Sequence, residues 1–376
     1  MSRELLAVPG VIVHDWFAGY HGSDRVVETL RSRLFAPEFT PDVMTFHAER
    51  DLLPPALTAA IVAESRLAAL PGLRQRGHDN GRWRYLLPYM PRWFARLDLD
   101  RYDLVLSSSH ACAAGVHKRP GAVHVCYCHA PMRYAWSPEI DDRRVGPVAE
   151  RVLRLLARRM RAADRRASRL PDVYVANSTA VQERIQRFYG RESTVVHPPV
   201  DTAAITLGSE RRSGFLWVHR LVPYKQPLLV AEAFRGLDTR LTMVGVGPLE
   251  AELRASLPDN VELRGWVERD ELIGLYQGAE GFIHIGEEDF GISMVEALAA
   301  GTPVIGLARG GATDIVRDGI DGMLIEDTDI ASVRRAIAEL RARDWDRQAL
   351  SDRAGDFSTE RFVERMRAVV DPLLAG

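Results

Sequence analysis

The chain has 376 residues, 46% of them hydrophobic and 27% charged, which is enough for two domains of ordinary size, each with its own core. No apolar run reaches bilayer-spanning length and MSRELLAVPG at the N-terminus lacks a signal-peptide core, so a cytoplasmic location is expected. The net charge of −2 divides into +8 for residues 1–200 (29 basic, 21 acidic) and −10 for residues 201–376 (20 basic, 30 acidic); a basic half suits an anionic lipid surface or nucleic acid, or is surface chemistry alone, and no nucleic-acid module accompanies it.

Strand candidates alternate with helical stretches from the start. VIVHDW at 11–16 runs into FAGYHGSDRVVETL, where Gly19 and Gly22 open an amphipathic helix. A glycine-bearing turn at a helix start lets backbone approach a phosphate or a sugar, although any strand-to-helix turn uses Gly. DVMTF at 42–46 is the next strand, and RWRYLLPYMPRWFAR at 82–96 mixes aromatics and arginines in a way that suits an acceptor site, a membrane contact or a buried edge. DLVLSSS at 103–109, VHVCYC at 123–128 and VYVANS at 173–178 complete a first set. His14, His110 and His129 all fall at strand ends, so position alone does not separate ligand-binding from structural histidines. Cys126 and Cys128 alternate along one strand and make an odd three with Cys112, which points to buried thiols rather than a metal pair or a disulfide.

Residues 143–169 carry ten arginines against two acids, with Val148, Val152, Leu156, Met160, Ala163 and Ala167 near helical spacing. Such a basic amphipathic helix either rests on anionic lipid or packs its stripe on its own domain. Two prolines in HPPVD at 197–201 then punctuate the chain, and the strand series restarts. GFLWVH at 214–219, RLTMVG at 240–245, NVELRG at 260–265, FIHI at 282–285, PVIGL at 303–307 and MLIE at 323–326 form the second set. The alternation implies parallel sheets covered by helices, and two sets imply two Rossmann-like α/β domains facing each other across a cleft.

The chemistry concentrates in EEDFGISMVEALAAGTPVIG at 287–306. Glu288 falls in the loop after a buried strand, Glu296 about one turn into the following helix, and Phe290, Gly291 and Ile292 at that helix's N-terminus, where unpartnered N–H groups and the dipole favour an anion. The stretch can hold a phosphate with a carboxylate on either side to accept from hydroxyls, a combination that suits a sugar nucleotide. Read alone, Glu288 is equally a solvated loop charge and Glu296 a polar-face residue. Arg220 and Lys225 in RLVPYK follow another strand end; if the 287–306 stretch holds a diphosphate they are placed to neutralise a departing phosphate without a metal, and read alone they are equally two solvated loop cations. Lys118 and Lys225 are the only lysines among 49 basic residues, which hints that a compact ammonium suits each position. Gly245 and Gly247, like Gly310 and Gly311, sit at strand ends, where turn geometry or close packing on a nucleotide explains them.

Taken together these pieces resemble the retaining glycosyltransferases of family four, which have the GT-B fold. EDFGISMVE is similar to that family's two glutamates with seven residues between, and HRLVPYK to its arginine-and-lysine phosphate site; GGATDIVRDGIDG and PPVD fit as well. The resemblance implies catalytic roles for Arg220, Lys225, Glu288 and His129: Arg220 and Lys225 on the diphosphate, Glu288 on sugar hydroxyls, and His129 near the transferred sugar. It implies a donor-binding set of Gly22, Glu296, Phe290, Gly291, Ile292 and Val267, with Glu296 on the ribose. HDWFAGYHGSDRV, SSSHACAAGVHK and YCHAPMRYAW are similar, more narrowly, to bacterial GDP-mannose-dependent mannosyltransferases of surface-polysaccharide assembly. Two positions depart from the family pattern: His21 stands where a Gly pair is usual, and His219 where a Gly precedes the arginine.

The resemblance therefore implies an N-terminal acceptor-binding domain at 1–198, a nucleotide-sugar-binding domain at 199–357, and a helix at 358–376 that returns to the first domain. The activity expected is transfer of a hexose, mannose from GDP-mannose as the best match, to an acceptor hydroxyl with retained configuration. No metal or resident cofactor is expected, the acceptor is a glycan, glycolipid or small molecule, and peripheral contact with anionic membrane at the inner face of the cell membrane is a possible addition. Rival readings are a sugar-nucleotide 2-epimerase of the same fold, a transferase using a UDP-, dTDP- or ADP-sugar, a metal-dependent transferase using DLD at 98–100 or DTD at 327–329, and a catalytically silent binding protein. A dehydrogenase fits less well, because no strand leads into a full GxGxxG with a downstream acid.

Overall fold

The computed structural model describes residues 5–68, 70, 82–136, 147–208 and 212–375, with the side chains of 82, 84 and 147–156 outside the description. The chain divides into two compact units, one of residues 1–177, 181–197 and 362–376, the other of 178–180 and 198–361.

Among the described residues the first unit holds seven parallel strands: β1 (Gly10–His14), β2 (Asp42–Thr45), β3 (Ile61–Glu64), β4 (Leu104–Ser109), β5 (Val123–Cys128), β6 (Val173–Ala176) and β7 (Ser193–Val195). Their order is β3-β2-β1-β4-β5-β6-β7. The central strands are buried along their whole length, as β1 and β4 are, because helices cover both faces of a parallel sheet and polar alternation has no place. Cys112, Cys126 and Cys128 are buried and none is in a disulfide, the buried thiols expected. The helix Thr359–Ala375 sends Phe362, Met366 and Val370, four residues apart on one face, into this unit's core, where the Phe362 ring lies 5.7 Å from that of Tyr127.

The second unit holds β8 (Phe215–Val218), β9 (Leu241–Val244), β10 (Val261–Gly265), β11 (Gly281–His284), β12 (Val304–Leu307) and β13 (Gly322–Ile325). The six are parallel in the order β10-β9-β8-β11-β12-β13. Strand order reverses between β8 and β11, as it does between β1 and β4 in the first unit, and a ligand of such a sheet sits beyond the carboxyl ends at that reversal. Edge strand β10 alternates buried and exposed residues while inner strand β12 is buried throughout, the difference expected between one covered face and two.

The basic helix expected over 143–169 is observed as Pro147–Ala167. Residues 143–146 and the side chains of Val148, Val152 and Leu156 lie outside the described residues. Among the described residues no helix is long and apolar enough to cross a membrane.

Candidate active site

In the second unit the reversal point gathers most of the residues singled out above. β8 ends at Val218, and His219 and Arg220 follow it directly. The chain then makes a tight turn over Pro223–Lys225, closed by Gln226 in the left-handed conformation at φ 56°. That turn folds Lys225 inward, leaving it 7% exposed, whereas Arg220 stays exposed. Beyond β11 the loop carries Glu288, and the Lys225 ammonium forms an ion pair with its carboxylate. Gly286 permits this approach: a Cβ there would stand 3.0 Å from the Tyr224 carbonyl oxygen and 3.1 Å from Lys225 Cα.

The helix Ile292–Ala299 begins at Gly291, whose φ of 107° suits glycine and whose added Cβ would collide with Met294 Cε. No side chain caps this end; the Met294 N–H donates to the Gly291 carbonyl oxygen at 3.0 Å, which leaves the N–H groups of Ile292 and Ser293 for a ligand. Phe290 is buried just before it, and the Gly311 N–H, 2.9 Å from the Glu288 carbonyl oxygen, ties the next loop to the turn. Gly291 and Ile292 are half-buried, so backbone at the helix start is within reach of a ligand. Val267, in the loop after β10, is half-buried and packs on the core under this helix.

Glu296 is buried on the same helix. Arg269 Nη1 lies 2.7 Å from one carboxylate oxygen and the Tyr276 hydroxyl donates to the other at 3.1 Å. Neither partner is signalled by the sequence, since they sit on the helix Arg269–Gly278, 27 and 20 residues away. The pairing of two histidines is equally silent in the sequence: the rings of His219 and His284 meet edge to face at 4.3 Å. Burial holds both well below the ordinary histidine range, helped at His219 by His284 and Lys225 and at His284 by Lys225.

Gly22 and His129 belong to the first unit. Gly22 opens the helix Gly22–Arg33, and its neighbour His21 is the N-cap, its backbone N–H donating to Asp24 at 2.6 Å. His129, half-buried, follows β5 and clusters with His14 at the end of β1 and His110 after β4, at ring separations of 5.7 to 6.5 Å. The buried Asp15 carboxylate accepts from the backbone N–H groups of His110, Ala111, Cys112 and Ala113 at 2.6 to 2.8 Å, which fixes the loop that carries His110. Burial, then His110 and His14, holds His129 well below its ordinary value, so it is neutral near pH 7. Among the described residues no group of three or more His, Cys, Asp or Glu side chains is arranged to hold a metal ion.

Comparison with known proteins assigns this arrangement to a class. Residues 205–356 match the family of glycosyl transferases group 1, and residues 20–204 match glycosyltransferase family 4. The structure is similar to that of Anabaena Alr3699/HepE in complex with UDP, with a TM-score of 0.68 at 17% identity over 96% of this chain and 100% of that one. It is equally similar to sucrose-phosphate synthase from Thermosynechococcus elongatus, with a TM-score of 0.70 at 15% identity over 97% and 99%. At such identities the likeness is one of fold.

The chain belongs to the family-four glycosyltransferases of GT-B fold. Among its relatives, a D-inositol 3-phosphate glycosyltransferase of Geodermatophilus obscurus is 34% identical over 235 residues, 52% of either chain. A GDP-mannose-dependent alpha-mannosyltransferase of Corynebacterium glutamicum is 31% identical over 156 residues, 41% of this chain and 36% of the relative. The matched stretch thus spans about half the length of these relatives, or less.

Proposed function

We propose that the protein transfers a hexose from a nucleotide-sugar donor to an acceptor hydroxyl with retention of configuration. The observation that carries this reading is the Lys225–Glu288 ion pair at the β8/β11 reversal, beside the uncapped start of the helix Ile292–Ala299. A buried ammonium held by a carboxylate is poised for exchange. An arriving diphosphate takes over Lys225 and the helix N–H groups, and Glu288 is released to accept from the sugar's hydroxyls. Arg220 adds its charge from the exposed side, Glu296 meets the ribose, and Phe290, Gly291, Ile292 and Val267 lend backbone and packing to the donor.

In the step itself the bond from the anomeric carbon to the phosphate oxygen breaks, its electron pair staying on the diphosphate. The acceptor oxygen forms its new bond on the same face, and its proton passes to the leaving phosphate oxygen. The protein need supply no separate base; Lys225 and Arg220 stabilise the charge that develops on the diphosphate. The account requires no metal. GDP-mannose is our first choice of donor, supported by the motifs shared with mannosyltransferases and by the Corynebacterium glutamicum relative.

The test is a thermal-shift comparison of GDP, UDP, dTDP and ADP, followed by turnover of the matching sugar nucleotide with and without a chelator. The nucleotide that stabilises most names the donor's base. Equal stabilisation by all four, or by none, would remove the donor assignment. A donor altered in the absence of any acceptor would favour the 2-epimerase.

A further inference from the structure

The first unit contains a chain of four polar side chains that ends at His129. Asp24 Oδ1 lies 3.2 Å from His14 Nε2, an ion-pair contact rather than an aligned hydrogen bond. His14 Nδ1 lies 3.0 Å from the Ser108 carbonyl oxygen and 3.1 Å from the Ser108 hydroxyl oxygen. The same hydroxyl lies 2.8 Å from His129 Nε2. These groups come from the first turn of the helix Gly22–Arg33 and from the carboxyl ends of β1, β4 and β5, which are neighbours in the sheet. His14, Asp24 and Ser108 are fully buried, and only His129 reaches solvent.

Elementary hydrogen-bond chemistry sets the direction of this chain. A carbonyl oxygen has no proton to give, so the 3.0 Å contact makes His14 Nδ1 the donor toward Ser108, and the ion pair with Asp24 puts a second proton on Nε2. The Ser108 hydroxyl receives from the same N–H, and its own proton is left to point at His129 Nε2, which therefore accepts. A neutral imidazole carries one proton, and His129 is held neutral by its surroundings. That proton is then on Nδ1, which among the described residues has no hydrogen-bond partner.

We propose that His14 and Ser108, with Asp24 anchoring the His14 ring, are positioning residues that lock His129 as its Nδ1–H tautomer. His129 thereby presents a hydrogen-bond donor to an oxygen of the bound sugar or acceptor. The identity of that oxygen rests on the transferase reading above; the tautomer does not.

The tautomer is read directly from a two-bond proton–nitrogen correlation spectrum of the full chain labelled with nitrogen-15 histidine at neutral pH. The expected result is a protonated Nδ1 on His129 in the unaltered protein, retained in Ser108→Thr and lost in Ser108→Ala. His129 protonated at Nε2 in the unaltered protein would overturn the proposal, and this arm holds even if Ser108→Ala does not fold. With an active donor in hand, Ser108→Ala should lower kcat about tenfold, the scale of one hydrogen bond, while the donor KM moves less than about twofold and Ser108→Thr restores the rate. Unchanged turnover in Ser108→Ala, or equal loss in both variants, would remove the role in the reaction. Should the protein turn over no sugar nucleotide, the transferase reading fails and the tautomer result alone decides the proposal.

Discussion

Arg269 Nη1 and Glu296 Oε1 lie 2.7 Å apart, and the Tyr276 hydroxyl holds the other oxygen of the same buried carboxylate. Glu296 is therefore oriented before any ligand arrives, by two donors from the neighbouring helix. Removing the charged partner leaves the carboxylate able to turn. Arg269→Ala is expected to weaken binding of the best nucleotide about tenfold, a cost of about 1.4 kcal/mol that is modest because Arg269 is itself one-third exposed. Titration calorimetry checks this, and an unchanged Kd would cut the link between Arg269 and the ligand.

Lys225 is expected to matter in turnover more than in affinity. Lys225→Ala should reduce kcat by at least about a hundredfold, the size associated with one lost stabiliser of developing charge. Lys225→Arg should not restore it, since the Lys225 side chain is 7% exposed and lies against Gly286, and a guanidinium is wider than the ammonium it replaces. Steady-state kinetics with a saturating donor reads both, and near-normal turnover in Lys225→Ala would take the residue out of the mechanism.

Two glycines near the same helix should respond in opposite directions. Gly291→Ala places a Cβ against Met294 at a φ of 107° and is expected to cost about 1–3 kcal/mol and to weaken nucleotide binding. Gly278→Ala, at the end of the helix Arg269–Gly278 with nothing within 4 Å of the added carbon, should be neutral or stabilising by up to about 1 kcal/mol. Urea denaturation of both variants checks the contrast.

The contrast between Gly291 and Arg269 also marks what is legible in the sequence. Gly291, Glu288 and Glu296 lie within nine residues of one another, so a strand-loop-helix pattern by itself puts them at one ligand-facing end. Arg269, Tyr276 and the pairing of His219 with His284 depend on which strands are neighbours, and hydrophobic periodicity does not encode neighbour order. The interior strands are recognisable as apolar runs because burial on both faces removes polar residues. β3 and β7 are not, since IVAE follows the helix Pro55–Ala60 without a break and STV is three residues at the sheet edge, none of them buried. The chain from Asp24 to His129 spans three strand ends, and its separate histidines give no sign of which is attached to which.

The basic helix offers a test through pH. Asp164 is buried on Pro147–Ala167 and accepts from Trp136 Nε1 at 2.7 Å and the Tyr189 hydroxyl at 2.8 Å. Burial raises its carboxyl from 3.8 to about 6, against the two hydrogen bonds, which lower it. The folded state therefore binds this proton more tightly than the unfolded chain, and the stability it contributes at low pH is lost as pH rises from about 4 to about 6. Asp164→Asn keeps an acceptor oxygen and removes the titration. Its stability relative to the unaltered protein should climb through that window, by about 1–3 kcal/mol in all. Urea midpoints at pH 4.5 and 7 decide it, and parallel behaviour of the two proteins would contradict the raised carboxyl.

The most direct measurement is a crystal structure with a bound nucleoside diphosphate. We expect its pyrophosphate oxygens within hydrogen-bond reach of the backbone N–H of Ile292 or Ser293, with Lys225 turned from Glu288 to a phosphate. A diphosphate seated elsewhere, with the Lys225–Glu288 pair intact, would contradict the account.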